Sequence, residues 1–132
     1  DCLVKNTGQK VFTADPNEAN LLIQPISAND WDIELVSGRI KPSVQGWYSE
    51  IFNVKVPNTV AVYSKQVQGD AMFAWLLLKS VGNNLPAVEV KNFRMDAAKG
   101  LCHIEFSQES GSVLKMDIPV LGGVPRIEKT VK

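Results

Sequence analysis

Apolar and polar residues alternate over much of this chain with the period of two that a half-buried strand requires. Trp31, Ile33 and Leu35 alternate with Asp30, Asp32 and Glu34. Cys102, Ile104 and Phe106 alternate with His103, Glu105 and Ser107, and Leu114, Met116 and Ile118 with Lys115 and Asp117. Each run predicts a strand with one face on a core and the other in water. Residues 71–78 are apolar on both faces, which predicts a central strand covered on each side, with a short buried helix as the alternative. Turn-forming clusters separate the runs: Asp15-Pro16-Asn17, Ser27-Ala28-Asn29, Gly69-Asp70, Gly82-Asn83-Asn84, Ala97-Ala98-Lys99-Gly100 and Ser110-Gly111. Roughly eight or nine short strands at hairpin spacing, with no sustained helical period, predict an all-β fold, an antiparallel β-sandwich formed by residues 1–132 as a single domain. From Gly122-Gly123-Val124-Pro125 onward the chain reads as a terminal tail, with Pro125 ending strand pairing and residues 129–132 left polar.

The stretch Gly46-Trp47-Tyr48-Ser49-Glu50-Ile51-Phe52-Asn53-Val54-Lys55-Val56-Pro57 fits neither period. Gly46 allows a turn or a close backbone approach, two large aromatics follow at once, and Pro57 interrupts a ladder. Together with the strand-like residues 31–37 before it and 59–63 after it, this block resembles the C-terminal β-sandwich of the heparinase II/III family of polysaccharide lyases. The usual form there is Gly-Trp-Tyr-Ser-Pro, an aromatic, Gly, then Val and a Pro before a strand. Here Glu50 stands for the Pro, Phe52 for a Tyr, Asn53 for the Gly, and Asn58-Thr59 for a small residue and Pro. Asn tolerates the left-handed conformation nearly as well as Gly, so the exchange at position 53 keeps the turn. The resemblance extends upstream through Ala19-Asn20-Leu21-Leu22-Ile23-Gln24-Pro25 and fades after about Lys79.

Composition narrows the functional classes. At 132 residues the chain is long enough to bury a core without disulfides, and its 14 basic residues balance 14 acidic ones. No net field therefore favours nucleic acid, an anionic membrane or a polyanionic polysaccharide, and a charged ligand needs a local patch. No apolar run reaches the roughly twenty residues of a membrane-spanning helix, and the opening Asp1-Cys2-Leu3-Val4-Lys5 is unlike a signal peptide. The chain starts without Met, which is expected of a mature product or of a part of something longer; the resemblance favours the second. Cys2 and Cys102 show no zinc-ligand spacing; a disulfide between them stays open.

The resemblance implies β-elimination of uronic-acid-containing glycans by a full-length enzyme, in a bacterial periplasmic or secreted setting. That reaction needs a Tyr or His to move the proton and groups that neutralise the carboxylate. In the family these come from a helical toroid and an earlier β region, which would be this chain's partners within one polypeptide, along with an acidic polysaccharide or oligosaccharide. The single histidine, His103, lies far from the motif block, so no catalytic residue, cofactor or metal is assigned. His103 and Glu105 share a strand face, where a solvated pair is the simplest reading and mutual orientation or metal binding the other. Substrate contact falls to Trp47 and Tyr48, whose rings stack on a sugar or plug the end of the sandwich, and to Arg39, Lys41 and Lys55, which bracket them. Trp31 and Trp75 read as core. The alternative, from another class, is a stand-alone non-catalytic module that binds carbohydrate or protein.

Overall fold

The computed structural model describes residues 3–26, 30–82 and 84–131. The turns expected at residues 27–29 and at Asn83, and any bridge involving Cys2, lie outside the described residues, as does Lys132. The chain is an all-β antiparallel sandwich with no helix among the described residues. The first sheet joins β1 (Val4–Thr7), β2 (Lys10–Thr13), β3 (Ala19–Pro25) and β8 (Trp75–Val81) in the order β1-β2-β3-β8. The second is a meander of β9 (Val88–Asp96), β10 (Leu101–Gln108), β11 (Val113–Pro119) and β12 (Arg126–Thr130). Two smaller pairs are inserted in the sequence between β3 and β8 of the first sheet: β4 (Asp32–Ser37) with β7 (Thr59–Ser64), and β5 (Trp47–Tyr48) with β6 (Val56–Pro57).

The alternating runs explain how the two large sheets meet. Cys102, Ile104 and Phe106 point inward from β10 and pack with Val88 and with Leu76 of β8, flanked by Leu78, Val90, Phe93, Leu114, Met116 and Ile118. His103, Glu105 and Ser107 take the opposite face. At the other side of β8, Trp31 gathers Phe73, Trp75 and Tyr63, with ring centroids 4.8, 5.3 and 6.1 Å away, and so ties the β4–β7 pair to the first sheet. The Gln9 side chain completes this junction. Its amide accepts from Trp31 N–H at 2.7 Å and donates to Trp31 C=O at 3.2 Å, imitating one rung of a ladder.

Asn20 is nearly fully buried and satisfied by five hydrogen bonds: its Oδ1 accepts from Thr13 Oγ1 and Asp15 N–H, and its Nδ2 donates to the carbonyls of Asp15, Glu18 and Gly82. One side chain thereby fastens two turns to the start of β3.

Three expectations are corrected. The apolar segment at residues 71–78 is not a covered central strand: β8 begins at Trp75 and is the edge of its sheet, with Leu76 buried and Leu77 64% exposed. A continuous apolar run specifies that both faces tolerate burial, but the burial itself depends on layers this chain does not supply on the outer side. Trp75, read as core, is 37% exposed for the same reason, whereas Trp31 is buried. The supposed tail contains β12, which pairs with β11 through Met116↔Ile127 and its neighbours. All five β12 residues are exposed, so no apolar period announced it.

Candidate functional site

The loop from Gly38 to Asn58 is a tightly determined structure. The Gly46 carbonyl accepts from Gly38 N–H and from Asn58 N–H, both at 2.8 Å, while Arg39 and Gln45 exchange two backbone bonds at 3.0 Å. Gly46 has φ 75°, and a Cβ there would stand 2.6 Å from Val36 O, 2.8 Å from Ser37 Cα and 2.9 Å from Asn58 O. Only glycine fits so close to that backbone. Trp47 is half-buried; its indole N–H donates to Arg39 O at 3.0 Å, and its ring lies against Gly38 beside Pro57. Ser49 Oγ and Val54 N–H both bond the Ile51 carbonyl, and Asn53 takes the left-handed conformation with φ 64°, the one non-glycine to do so among the described residues. The Lys41–Pro42 peptide is cis.

This frame separates the two aromatics. Trp47 latches the loop, whereas Tyr48 is 52% exposed, and the same loop also exposes Phe52, at 88%, and Ile40, Val44, Ile51, Val54 and Val56. Arg39 lies against Trp47 through its carbonyl, but its guanidinium is engaged by Glu34 at 2.8 Å and by the Gln45 side chain. Lys41 and Lys55 are exposed and form no ion pair among the described residues. The fold therefore brings Trp47 and Arg39 together as a structural unit and leaves Tyr48, Lys41 and Lys55 as the members free for a ligand.

His103 and Glu105 do face the same way, yet neither engages the other. His103 Nδ1 lies 2.6 Å from Asp117 Oδ1 of β11, and Glu105 pairs with Lys115 at 3.7 Å. Asp117 was missed, although the turn at Ser110-Gly111 carries the signal. A hairpin that pairs Ser107 with Val113 must pair His103 with Asp117. Among the described residues no group of acidic, His and Cys side chains has the arrangement of a metal site.

Two titratable groups of the interior are held away from ionisation. Burial pushes the Tyr63 phenol up from its ordinary value, and likewise the Cys102 thiol, which is free and buried in the core. Both are held in the protonated form that a base or nucleophile must leave. The exposed Asp30 carboxyl is lowered by its hydrogen bond from Lys65. A groove of about 470 Å³ runs along β9 and is lined by residues 24–26 and 88–93. A register shift between Glu105 and Phe106 kinks the pairing of β9 there, which is how edge strands are kept from accepting another strand. No family model matches this chain, and neither does any curated protein or any solved structure.

Proposed function

We propose that this chain is the C-terminal β-sandwich of a heparinase II/III-type polysaccharide lyase, a structural part that backs the catalytic β layer, helps to shape the cleft and performs no chemistry alone. The observation that carries this reading is the conformation of the Gly46–Pro57 block. Gly46 sits where a Cβ would collide with three backbone atoms, Trp47 latches the loop, and Asn53 adopts the left-handed turn that the resembled motif assigns to glycine. The exposed apolar surface agrees with a part rather than a whole. The accessible surface is 9303 Å², against about 6,900 Å² for a compact chain of this size. Large apolar side chains cluster on the outer face of β8 and on the loop that carries Tyr48 and Phe52, where neighbouring domains of a longer polypeptide would cover them.

The substrate in that setting is an acidic glycan, and the bacterial periplasm or exterior is the compartment. A specific observation also favours the second reading, a carbohydrate- or protein-binding module without chemistry: Tyr48 and Phe52 are held out on a rigid loop, as a stacking platform needs to be. The upstream reading frame separates the two. Helical repeats carrying a Tyr, an Asn-His pair and an Arg ahead of this domain support the lyase reading, and a short gene with its own signal peptide refutes it. The purified domain releases no unsaturated uronate from heparan sulfate, hyaluronan or alginate on either reading, and release by contaminant-free protein overturns both.

A further inference from the structure

The outer face of the second sheet carries two rows of polar side chains that strand register sets side by side. Arg94, His103, Asp117 and Arg126 stand opposite one another across β9, β10, β11 and β12, and Asn92, Glu105, Lys115 and Glu128 form the next row. Neighbouring members are about 4.8 Å apart in the pairing direction. Within this array Asn92, Arg94, His103, Glu105, Lys115 and Asp117 line a hollow of about 190 Å³.

Three observations distinguish the hollow from a merely solvated face. First, Asp117 fixes His103 through Nδ1 at 2.6 Å, so Nε2 is the atom that gains or lacks the second proton. Second, Nε2 has no hydrogen-bond partner and is closed to solvent, which leaves a polar interaction unmade. Third, Arg94 is exposed directly across from His103 on the edge strand and forms no ion pair among the described residues, while Lys115 meets Glu105 only at 3.7 Å. Arg126, by contrast, is held by Glu128 at 2.8 Å.

We infer that this hollow binds a tetrahedral oxyanion, a phosphoryl or sulfuryl group, with Arg94 and Lys115 as cationic donors and His103, backed by Asp117, as the third. Donors arriving from three adjacent strands suit a centre that offers oxygens in three directions; a carboxylate offers two in one plane. The acidic residues on the hollow do not oppose this, because Asp117 is engaged by the imidazole and Glu105 by Lys115. With His103 protonated, three positive groups (Arg94, Lys115, His103) face two negative ones (Asp117, Glu105), a net charge of about +1; with neutral imidazole the sum is about zero. Binding of the anion and uptake of a proton at His103 are therefore coupled. Nε2 is closed to solvent in this conformation, so in the complex the side chains over that edge of the ring shift to admit an oxygen, and the exposed Arg94 turns to meet it. The inference is independent of the lyase reading.

The sequence contains one histidine, so imidazole nitrogen resonances report on this site alone. Inorganic sulfate and inorganic phosphate are titrated into the protein against sodium chloride of matched ionic strength, with malonate as the planar carboxylate. A saturable change at Nε2 is expected with at least one tetrahedral ion. Sulfate keeps its charge across the range, so it carries the pH comparison. Where it binds, it should do so at least about fivefold more tightly near pH ~5.5 than near pH ~8. If phosphate alone binds, Arg94 and His103 variants carry the test at one fixed pH, and the ligand is assigned as phosphoryl; sulfate alone assigns it as sulfuryl. Arg94→Gln, at an exposed edge position whose intact fold a melt verifies, weakens binding about tenfold, and Arg94→Lys, which keeps the charge but loses the fork, falls between. His103→Gln, followed by calorimetry, weakens binding and abolishes the pH dependence. A response no greater than chloride's, an equal response to malonate, or undiminished binding by Arg94→Gln or His103→Gln overturns the inference.

Discussion

Truncating Trp47 to alanine tests whether the aromatic pair is one functional unit or two parts with different tasks. Its ring is half-buried against Gly38 and beside Pro57, and its N–H holds the Arg39 carbonyl at 3.0 Å. A tryptophan buries 150–250 Å² when packed, and the lower figure suits this half-buried ring; at about 25 cal/mol per Å² it is worth roughly 4 kcal/mol. Residual burial in the unfolded chain reduces that to about 3 kcal/mol, and the lost hydrogen bond restores roughly 0.5–1 kcal/mol. Trp47→Ala should therefore cost about 3–4 kcal/mol in a denaturant melt, or about 10–15 °C in melting temperature for a domain of this length. Tyr48→Ala, at a side chain 52% exposed, should cost under about 1 kcal/mol. Trp47→Phe recovers the larger part of the loss but not the hydrogen bond. Equal effects of the two alanine variants, or a Trp47→Ala midpoint indistinguishable from wild type, would refute the division into latch and exposed platform. An oligouronate titration then compares Tyr48→Ala with wild type, and a loss of binding without loss of stability is the outcome expected if the loop contacts sugar.

Gly46→Ala places a Cβ within 2.9 Å or less of three backbone atoms at positive φ, and should destabilise by roughly 3 kcal/mol or more, read by the same melt; a loss below about 1 kcal/mol would mean that the loop gives way easily. Asn20→Ala strands the Gly82 and Asp15 carbonyls in a buried corner and should cost about 2–4 kcal/mol, with hydrogen exchange rising first in the turns at both ends of β3; uniform exchange across the sheet would argue against a local clamp. Cys102 and Tyr63 both have raised values in the folded chain, so each contributes stability that is fully present below its unfolded value, 9.0 for the thiol and 10.0 for the phenol, and lost as pH rises through the folded one. Stability should decline above about pH 9, and less steeply in Cys102→Ala after allowance for its lower starting stability; an unchanged slope would remove the thiol from the account. Asp30 shifts the other way, so its contribution is lost on acidification, and Asp30→Asn should flatten the acid limb slightly.

Part of the architecture was written in local periodicity. The β10 and β11 runs fixed which residues face the core, because a period of two leaves a strand no freedom to exchange its faces. The Ser110-Gly111 turn then determined that His103 meets Asp117, a pairing legible in principle through hairpin register but obscured by the closer Glu105 on the same strand. Gly46, Trp47 and Asn53 were legible as points of special conformation, since their residue types restrict or permit particular backbone shapes. What each does was not legible: that Trp47 turns its N–H to Arg39 and that Arg39 turns its guanidinium to Glu34 are decided by atoms brought together across the loop.

By itself, then, the sequence determined the all-β class, the alternation of faces in β10 and β11, the turns at residues 97–100 and at Ser110-Gly111, and the absence of any net charge to draw a polyanion, because each follows from residue chemistry over a few neighbouring positions. Only the tertiary structure decided that β8 is an edge strand, that β12 exists, that Asn20 fastens three segments and that Arg94, His103 and Asp117 line up across three strands. The physical reason is common to all four. Strand order, backbone ladders and buried polar contacts join residues distant in the chain, and their free energy is set by which partner arrives rather than by the residue that waits for it.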